Sequence, residues 1–428
     1  MTRRPNSEYL TGPSSPQRKG PRQNGDTWQK SAGPWPGVPM LILALVLVVV
    51  TLGFGVVIPI MPFYIEHFGA GGTELGVLVS VYAIMRLVCG PIWGSLSDRF
   101  GRKPVLLIGI SGYAITMVWF GLATSLWMLF AARILAGVLS SATSPTTMAY
   151  IGDSTPENER GRGMGILGAA AGLGTVLGPA LGGLLGQTSL ATPFFIAAGM
   201  SVLALILAAL FLPESLPAGQ RRPARERKLI DLRTWGRAIW SPIGAWLVLT
   251  ALSTGGLMIF YGTFGLYALE KYGFGPDKVG LVFMVVGLAT AVAQGALAGP
   301  LTKRWGETRV IQASMLATVA AFILLVVAGN LLAVLLAVAF FSLTTALQMP
   351  ALMAITSRRA TVEQGVAMGL SNSFISLGRI VGPTVGGILL DVHSESPYLI
   401  GAALMLVGFL ASTLRSPPSA RTARPNAR

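Results

Sequence analysis

The chain has 428 residues, of which 52% are hydrophobic and only 11% charged, with a mean hydropathy of +0.65 and a formal net charge of +15. Soluble proteins carry about 25% charged residues, so this composition excludes a water-covered globular surface and requires lipid over much of the molecule. A single cysteine, Cys89, excludes an intramolecular disulfide.

In chain order, residues 1–39 form a proline-rich basic tail that is expected to be disordered. Twelve apolar runs follow, at 40–64, 76–97, 104–124, 127–150, 164–186, 193–212, 243–268, 279–301, 309–329, 331–355, 365–390 and 397–414. Each is long enough to cross a hydrocarbon core of about 30 Å as a helix. The first lies too far behind its tail, and is too long, to be a cleaved signal. Between the sixth and seventh runs, 213–241 is a basic linker too polar to cross, suited to lying on the membrane surface; 415–428 is a polar tail. The fold expected is all-α, with twelve transmembrane helices in two six-helix bundles, 40–212 and 242–414.

Charge fixes the topology. With both termini cytoplasmic, 27 of the 32 Lys and Arg fall on the inner side, and merging or dropping a run scrambles that partition. The same distribution accounts for the net charge through topology and anionic lipid rather than nucleic acid, since no basic patch is interleaved with aromatics. The location expected is a cell inner (plasma) membrane.

Several motifs stand out along the runs. The first contains Gly53-x-x-x-Val57-x-Pro59-x-x-Pro62, and Gly94-Ser95-Leu96-Ser97-Asp98-Arg99-Phe100-Gly101-Arg102-Lys103 joins the second to the third. Gly94 and Gly101 permit a tight turn, Arg99, Arg102 and Lys103 hold it inside, and Asp98 is placed to face a helix N-terminus. Arg133 and Gly137 lie in the fourth run, and Asp153, Glu157, Glu159, Arg160 and Arg162 cluster behind it. The fifth carries Gly174, Gly178, Pro179, Gly182 and Gly183, small residues whose spacing lets helices approach closely around a bendable proline. The halves are duplicated: Gly94, Arg99 and Gly101 recur as Gly299, Arg304 and Gly306, Pro145 recurs as Pro350, and the fifth-run motif recurs as Gly378, Gly382, Pro383, Gly386 and Gly387.

Over 40–414 the chain resembles the major facilitator superfamily and, within it, the twelve-span drug:proton antiporters. The 94–103 loop is similar to the superfamily's signature, and the fifth-run glycines to the antiporter signature. The resemblance implies a secondary transporter, not an enzyme, that exports small amphipathic compounds by alternating access. The partners implied are a small-molecule substrate, a proton and membrane lipid; the chain is expected to be a monomer with no cofactor. In the family the acid matching Asp98 meets the start of the eleventh helix and latches the cytoplasmic side, and the arginine matching Arg133 is tied to proton coupling. A topogenic loop and an arginine bonding carbonyls or snorkelling are the corresponding structural readings. Lys303 replaces the acid in the second copy, so a latch here is one-sided.

The chain departs from that family in its acids. None of the 17 lies in mid-span, whereas Arg86, Arg133 and Arg379 lie within runs, and intramembrane charge marks function by default. Arg86 stands about 18 Å up its helix from Asp98 and Arg379 about 22 Å into the eleventh, so both approach the midplane. Guanidinium forks suit a carboxylate or phosphate; bonding to Asn372 or Gln294 between helices is the alternative. A proton carrier is then sought at the span ends, in Glu66, Glu270, Asp391 or Asp153, with Glu66 preferred because it follows the proline-rich first helix. Exposed carboxylates titrate near about 4 unless buried or paired, so full solvation would count against it. Tyr64, Met85, Phe260, Tyr261, Phe264, Gln348 and Met349 are candidate cavity contacts. With two distant histidines, no Gly-Lys dipeptide and no Gly-x-Ser-x-Gly, metal, nucleotide-hydrolysing and serine-hydrolase chemistry are not expected. An exporter of an anionic metabolite that uses the intramembrane arginines and a non-transporting sensor of the same fold are the remaining alternatives.

Overall fold

A computed structural model describes residues 37–156, 158–217, 219, 221, 240–241, 243–360 and 364–414. The expectations for the 1–39 tail, the 213–241 linker, Glu157 and the 415–428 tail fall wholly or largely outside these residues. The described chain is helical, with twelve helices long and apolar enough to span a membrane. They are α1 (Val38–His67), α2 (Gly72–Phe100), α3 (Arg102–Gly121), α4 (Leu126–Ser154), α5 (Arg160–Gly186), α6 (Thr192–Phe211), α7 (Gly244–Tyr272), α8 (Pro276–Trp305), α9 (Glu307–Val327), α10 (Leu331–Arg359), α11 (Gln364–Val392) and α12 (Ser396–Leu414). Several helices outrun the apolar runs because helical hydrogen bonding continues into the interface after hydropathy has ended. The α2 start, for instance, is set at Gly72 by Glu74, whose carboxylate accepts from Gly71 N at 2.9 Å.

Local chemistry explains the breaks. Asn330 separates α9 from α10, its side chain accepting from Ala333 N at 2.9 Å as an N-cap. Helix α4 is interrupted at Ser141–Ala142, just before Pro145, which has no N–H to continue the ladder. A π-turn over Ala293–Leu297 interrupts α8 around Gly295. Large apolar side chains stand outward, among them Trp127, Leu184, Leu210 and Leu336, each more than 60% exposed. In water this would be costly; against acyl chains it is the favourable arrangement.

The halves repeat one another in packing as in sequence. In the first, α1 lies on α5; in the second, α7 lies on α11. The halves meet through α2 on α11 and α5 on α8, with α1 against α7, and Val38 onward forms one contact unit rather than two. Two ends can be told apart: a basic end bearing Arg99, Arg102, Lys103 and Arg304, and an acidic end bearing Glu66, Glu270, Asp391 and Glu395.

Candidate functional site

Glycines show where the halves touch. A Cβ on Gly174, Gly178 or Gly182 would strike α1 backbone or side-chain atoms at Val48, Thr51, Leu52, Gly55 and Val56, so these three seat α5 on its own half's first helix. Gly183, one residue on, faces the other half at Pro276 and Gly280. The repeat does the same: Gly378, Gly382 and Gly386 seat α11 on α7, and Gly387 meets Gly72 and Gly76 of α2. Both cross-half contacts lie toward the acidic end. At the basic end Gly90, Gly94, Gly165, Gly168, Gly299, Gly365 and Gly369 of the same four helices have nothing within 4 Å of such a Cβ. The seam is sealed at one end and open at the other.

Polar contacts reinforce the seal. Asp391, at the last turn of α11, accepts from Gly72 N at 2.6 Å, from Thr73 N at 2.8 Å and from the Thr73 hydroxyl. A carboxylate thus rests on the free N–H groups of the α2 N-terminus, where the helix dipole favours it. Deeper in the seam, Ser80 donates to the Ile380 carbonyl at 2.6 Å and Thr384 donates to Ser80 at 2.8 Å. Glu270 lies within electrostatic reach of Asp391 and Glu66.

At the basic end the 94–103 loop is organised within the first half. Arg102, 7% exposed, pairs with Asp98 at 2.6 Å and with Asp153 at 2.8 Å, and donates to Ser97 Oγ at 2.6 Å. Glu214 accepts from Arg102 N at 2.8 Å and Lys103 N at 3.2 Å, capping α3. Asp98 does not reach α11; its pairing with Arg102 is local, because the halves stand apart at this end. Arg99 lies over the Phe100 ring.

Below the seal, a cavity of about 310 Å³ opens among α1, α2, α4 and α5, with Phe54, Met148, Met164 and Leu167 supplying apolar walls and Arg86, Thr51 and Ser140 polar ones. Tyr82 borders it and also a smaller recess toward the seal, lined by Arg133, Phe54 and Tyr261. Tyr82 is the hub: Arg86 sits 5.7 Å and Arg133 5.3 Å from its ring centre, Phe54 stacks on it at 5.8 Å, and its hydroxyl lies 3.3 Å from Ser140 Oγ. Arg133 is 4% exposed, lies over Phe120 as well, and its Nε has no partner. It is enclosed rather than extended toward solvent, and it bonds no carbonyl among the described residues. Arg379 is exposed although it lies deep in α11, and it is within electrostatic reach of Arg86 and Tyr82. Neither Arg86 nor Arg379 hydrogen-bonds Asn372 or Gln294 among the described residues.

Other candidates sit elsewhere. Phe260 and Phe264 are fully buried in an aromatic cluster with Phe283 and Phe341, Tyr64 stacks on Phe68 and Phe194, and Met85 packs on Gly137. As cavity contacts Phe260, Phe264 and Tyr64 are corrected: tight aromatic packing inside each half takes them. Gln348, 1% exposed, donates to Thr318 at 2.9 Å within the second half and lines neither cavity. Glu66 is exposed and its carboxylate accepts no hydrogen bond among the described residues, whereas Asp153 is held in the Arg102 ion pair. Sequence reasoning missed Tyr82, although it stands one helical turn before Arg86, and Glu214, whose capping role no local pattern reveals.

The Major Facilitator Superfamily model matches residues 43–296 and again 246–428. The chain belongs to the Major Facilitator Superfamily. It is 32% identical over 374 residues to Multidrug resistance protein 2 of Bacillus subtilis (strain 168), covering 86% of this chain and 92% of that one. It is 33% identical over 383 residues to the class C tetracycline resistance protein of Escherichia coli, covering 85% and 94%. Among solved structures, the nucleoside transporter NupG superposes with a TM-score of 0.76 at 15% identity, over 88% of this chain and 99% of the other, a likeness of fold. This superfamily member is therefore a multi-pass plasma-membrane transporter rather than an enzyme.

Proposed function

We infer that the protein is an efflux transporter of small amphipathic compounds, driven by proton entry and working by alternating access. The observation that carries this reading is the one-sided seam, closed at the acidic end above a drug-sized cavity open toward the basic end. Ligand pockets commonly span about 300–1,000 Å³, and the apolar walls with a few hydroxyls suit an amphipathic guest. Relatives named for multidrug and tetracycline resistance support the same class of cargo. The basic end is cytoplasmic by the positive-inside rule, so this conformation loads from the cytoplasm.

Release requires the acidic end to part and the basic end to close. The antiparallel α2 and α11 carry the means at both ends: Asp391 at the end of α11 faces the start of α2, and Asp98 at the end of α2 is placed to face the start of α11. Neither latch is duplicated, since Gln187 stands at the position repeating Asp391 and Lys303 at that repeating Asp98. Breaking the Asp391 contacts frees Asp98 to exchange its local pairing for the opposite helix. Loss of the Asp391 charge weakens the seal and favours the outward state. Arg133, buried without a carboxylate partner, is the residue that the antiporter resemblance ties to coupling.

The test is a panel of tetracycline, a quinolone and an amphipathic carboxylate dye in reconstituted vesicles with an imposed pH gradient. Concentrative movement against the proton flux is expected, collapsing when the gradient is abolished. Absence of movement for the whole panel, or movement indifferent to the gradient, overturns the reading.

A further inference from the structure

The three intramembrane arginines are not explained by packing. None has a carboxylate within salt-bridge distance among the described residues, and those ion pairs that form, at Arg102, Lys271 and Arg358, all lie near helix ends. Arg133 is buried, Arg86 half-buried and Arg379 exposed, and charge held at membrane depth is ordinarily paired, because a low-dielectric surround penalises it otherwise. Here Tyr82 gives Arg86 and Arg133 a shared π face, a partial compensation that supplies no opposite charge. Arg379 comes from the other half, on α11 next to Ile380, whose carbonyl accepts from Ser80 of α2 at 2.6 Å, and its charge opposes that of Arg86.

We propose that the cavity takes small amphipathic organic anions, with a carboxylate or similar oxyanion held between Arg86 and Arg379 and the apolar body against Phe54, Met148 and Met164. The placement favours this ligand in three ways. A planar oxyanion matches guanidinium donors and relieves the Arg86–Arg379 repulsion. Arg133 and the Tyr82–Ser140 contact hold the aromatic ring on which Arg86 rests, fixing the fork's direction. No acid lies in mid-span to attract a cation, so a cationic guest enters a uniformly positive field. An interhelical brace predicts amide partners for Arg86 and Arg379, and none is formed among the described residues. Because Arg86 belongs to α2 and Arg379 to α11, the bound anion also bridges the two halves that must move.

The proposal rests on the efflux reading for the direction of transport but not for binding, so binding is the measurement. Purified full-length protein in phosphatidylcholine nanodiscs is titrated with naphthalene-1-acetate and with its uncharged near-isostere naphthalene-1-acetamide. The expected result is a preference for the acetate of about tenfold or more, equivalent to at least one charge-assisted contact, weakening as salt is raised. In Arg86→Gln and Arg379→Gln that preference falls to near unity, and Arg86→Lys restores it in part. Equal affinity of the wild type for both compounds overturns the proposal, whether or not any variant folds, as does a preference that survives both glutamine substitutions. Loss of acetate binding on adding phosphatidylglycerol to the nanodiscs assigns the arginines to a lipid headgroup and also overturns it. Selective acetate binding with no flux of any compound in vesicles leaves this site standing and refutes the efflux reading alone.

Discussion

Replacing Asp391 by Asn tests the outer latch without changing the shape of the seam. The carboxylate accepts two backbone N–H groups and one hydroxyl at the α2 N-terminus. Asn keeps one acceptor oxygen and loses the charge. Hydrogen bonds to charged groups contribute about 1.5–3 kcal/mol and a charge at a helix end about 0.3–1 kcal/mol. Asp391 is exposed, so solvent screening reduces both, and a net loss of about 1–2 kcal/mol follows, a factor of roughly 5–30 in the equilibrium between states. With Cys89 replaced by Ser, spin labels at Ser189 and Lys278, both exposed near the acidic end, report the separation of the halves by pulsed electron resonance. The longer-distance population should rise by about that factor in Asp391→Asn. The wild type should approach the same distribution as pH falls through the range where Asp391 takes up a proton, because the carboxylate form holds the latch. The variant should then be insensitive to pH in that range. Identical distributions for wild type and variant at neutral pH refute the latch.

Gly387→Ala should shift the same label pair in the same direction, since its Cβ meets the Gly72 carbonyl across the seam and neither backbone can yield. Gly365→Ala, with nothing within 4 Å, should leave the distribution unchanged. Glu214→Gln removes the charge that caps α3 and should lower thermal stability in detergent by about 1 kcal/mol; an unchanged melting temperature rejects that role. Gln348→Leu deletes a buried amide whose Oε1 has no partner while Thr318 keeps its bond to Ser314, so stability should be maintained within about 1 kcal/mol and vesicle transport retained. Loss of transport with normal stability would put Gln348 in the substrate path.

Much of the fold was legible because the membrane writes it in runs and charges. Twelve helices, including the division at Asn330, follow from apolar length and the placement of Lys and Arg, and the duplicated glycines mark the helices that form the seam. The face that each helix turns inward was not legible. Helix α7 buries its hydroxyls, Thr250, Ser253, Thr254 and Thr263, as well as its aromatics, so polarity does not mark the face turned to a cavity, and Phe260 and Phe264 fill a core instead of lining one. The roles of the acids depended on contacts between distant segments. Asp391 and Gly72 are separated by 319 residues, and nothing near either announces the other. Asp98 shows the converse: its motif is clear in the sequence, but its partner depends on which end of the seam is closed. Tyr82 was passed over because an aromatic residue in an apolar helix carries no signal until two guanidinium groups are found against it.

In the proposed cycle, transport requires the acidic end to part. Ser80 and Thr384 face each other across α2 and α11 with their oxygens 2.8 Å apart, which makes the pair a candidate for a cross-linking disulfide. In a Cys89→Ser background, Ser80→Cys with Thr384→Cys should form a bond that locks the seal. The oxidised protein in vesicles is expected to bind its cargo from the basic end and transport none, and a reductant should restore the rate. Transport by the fully oxidised protein at the reduced rate would contradict the account.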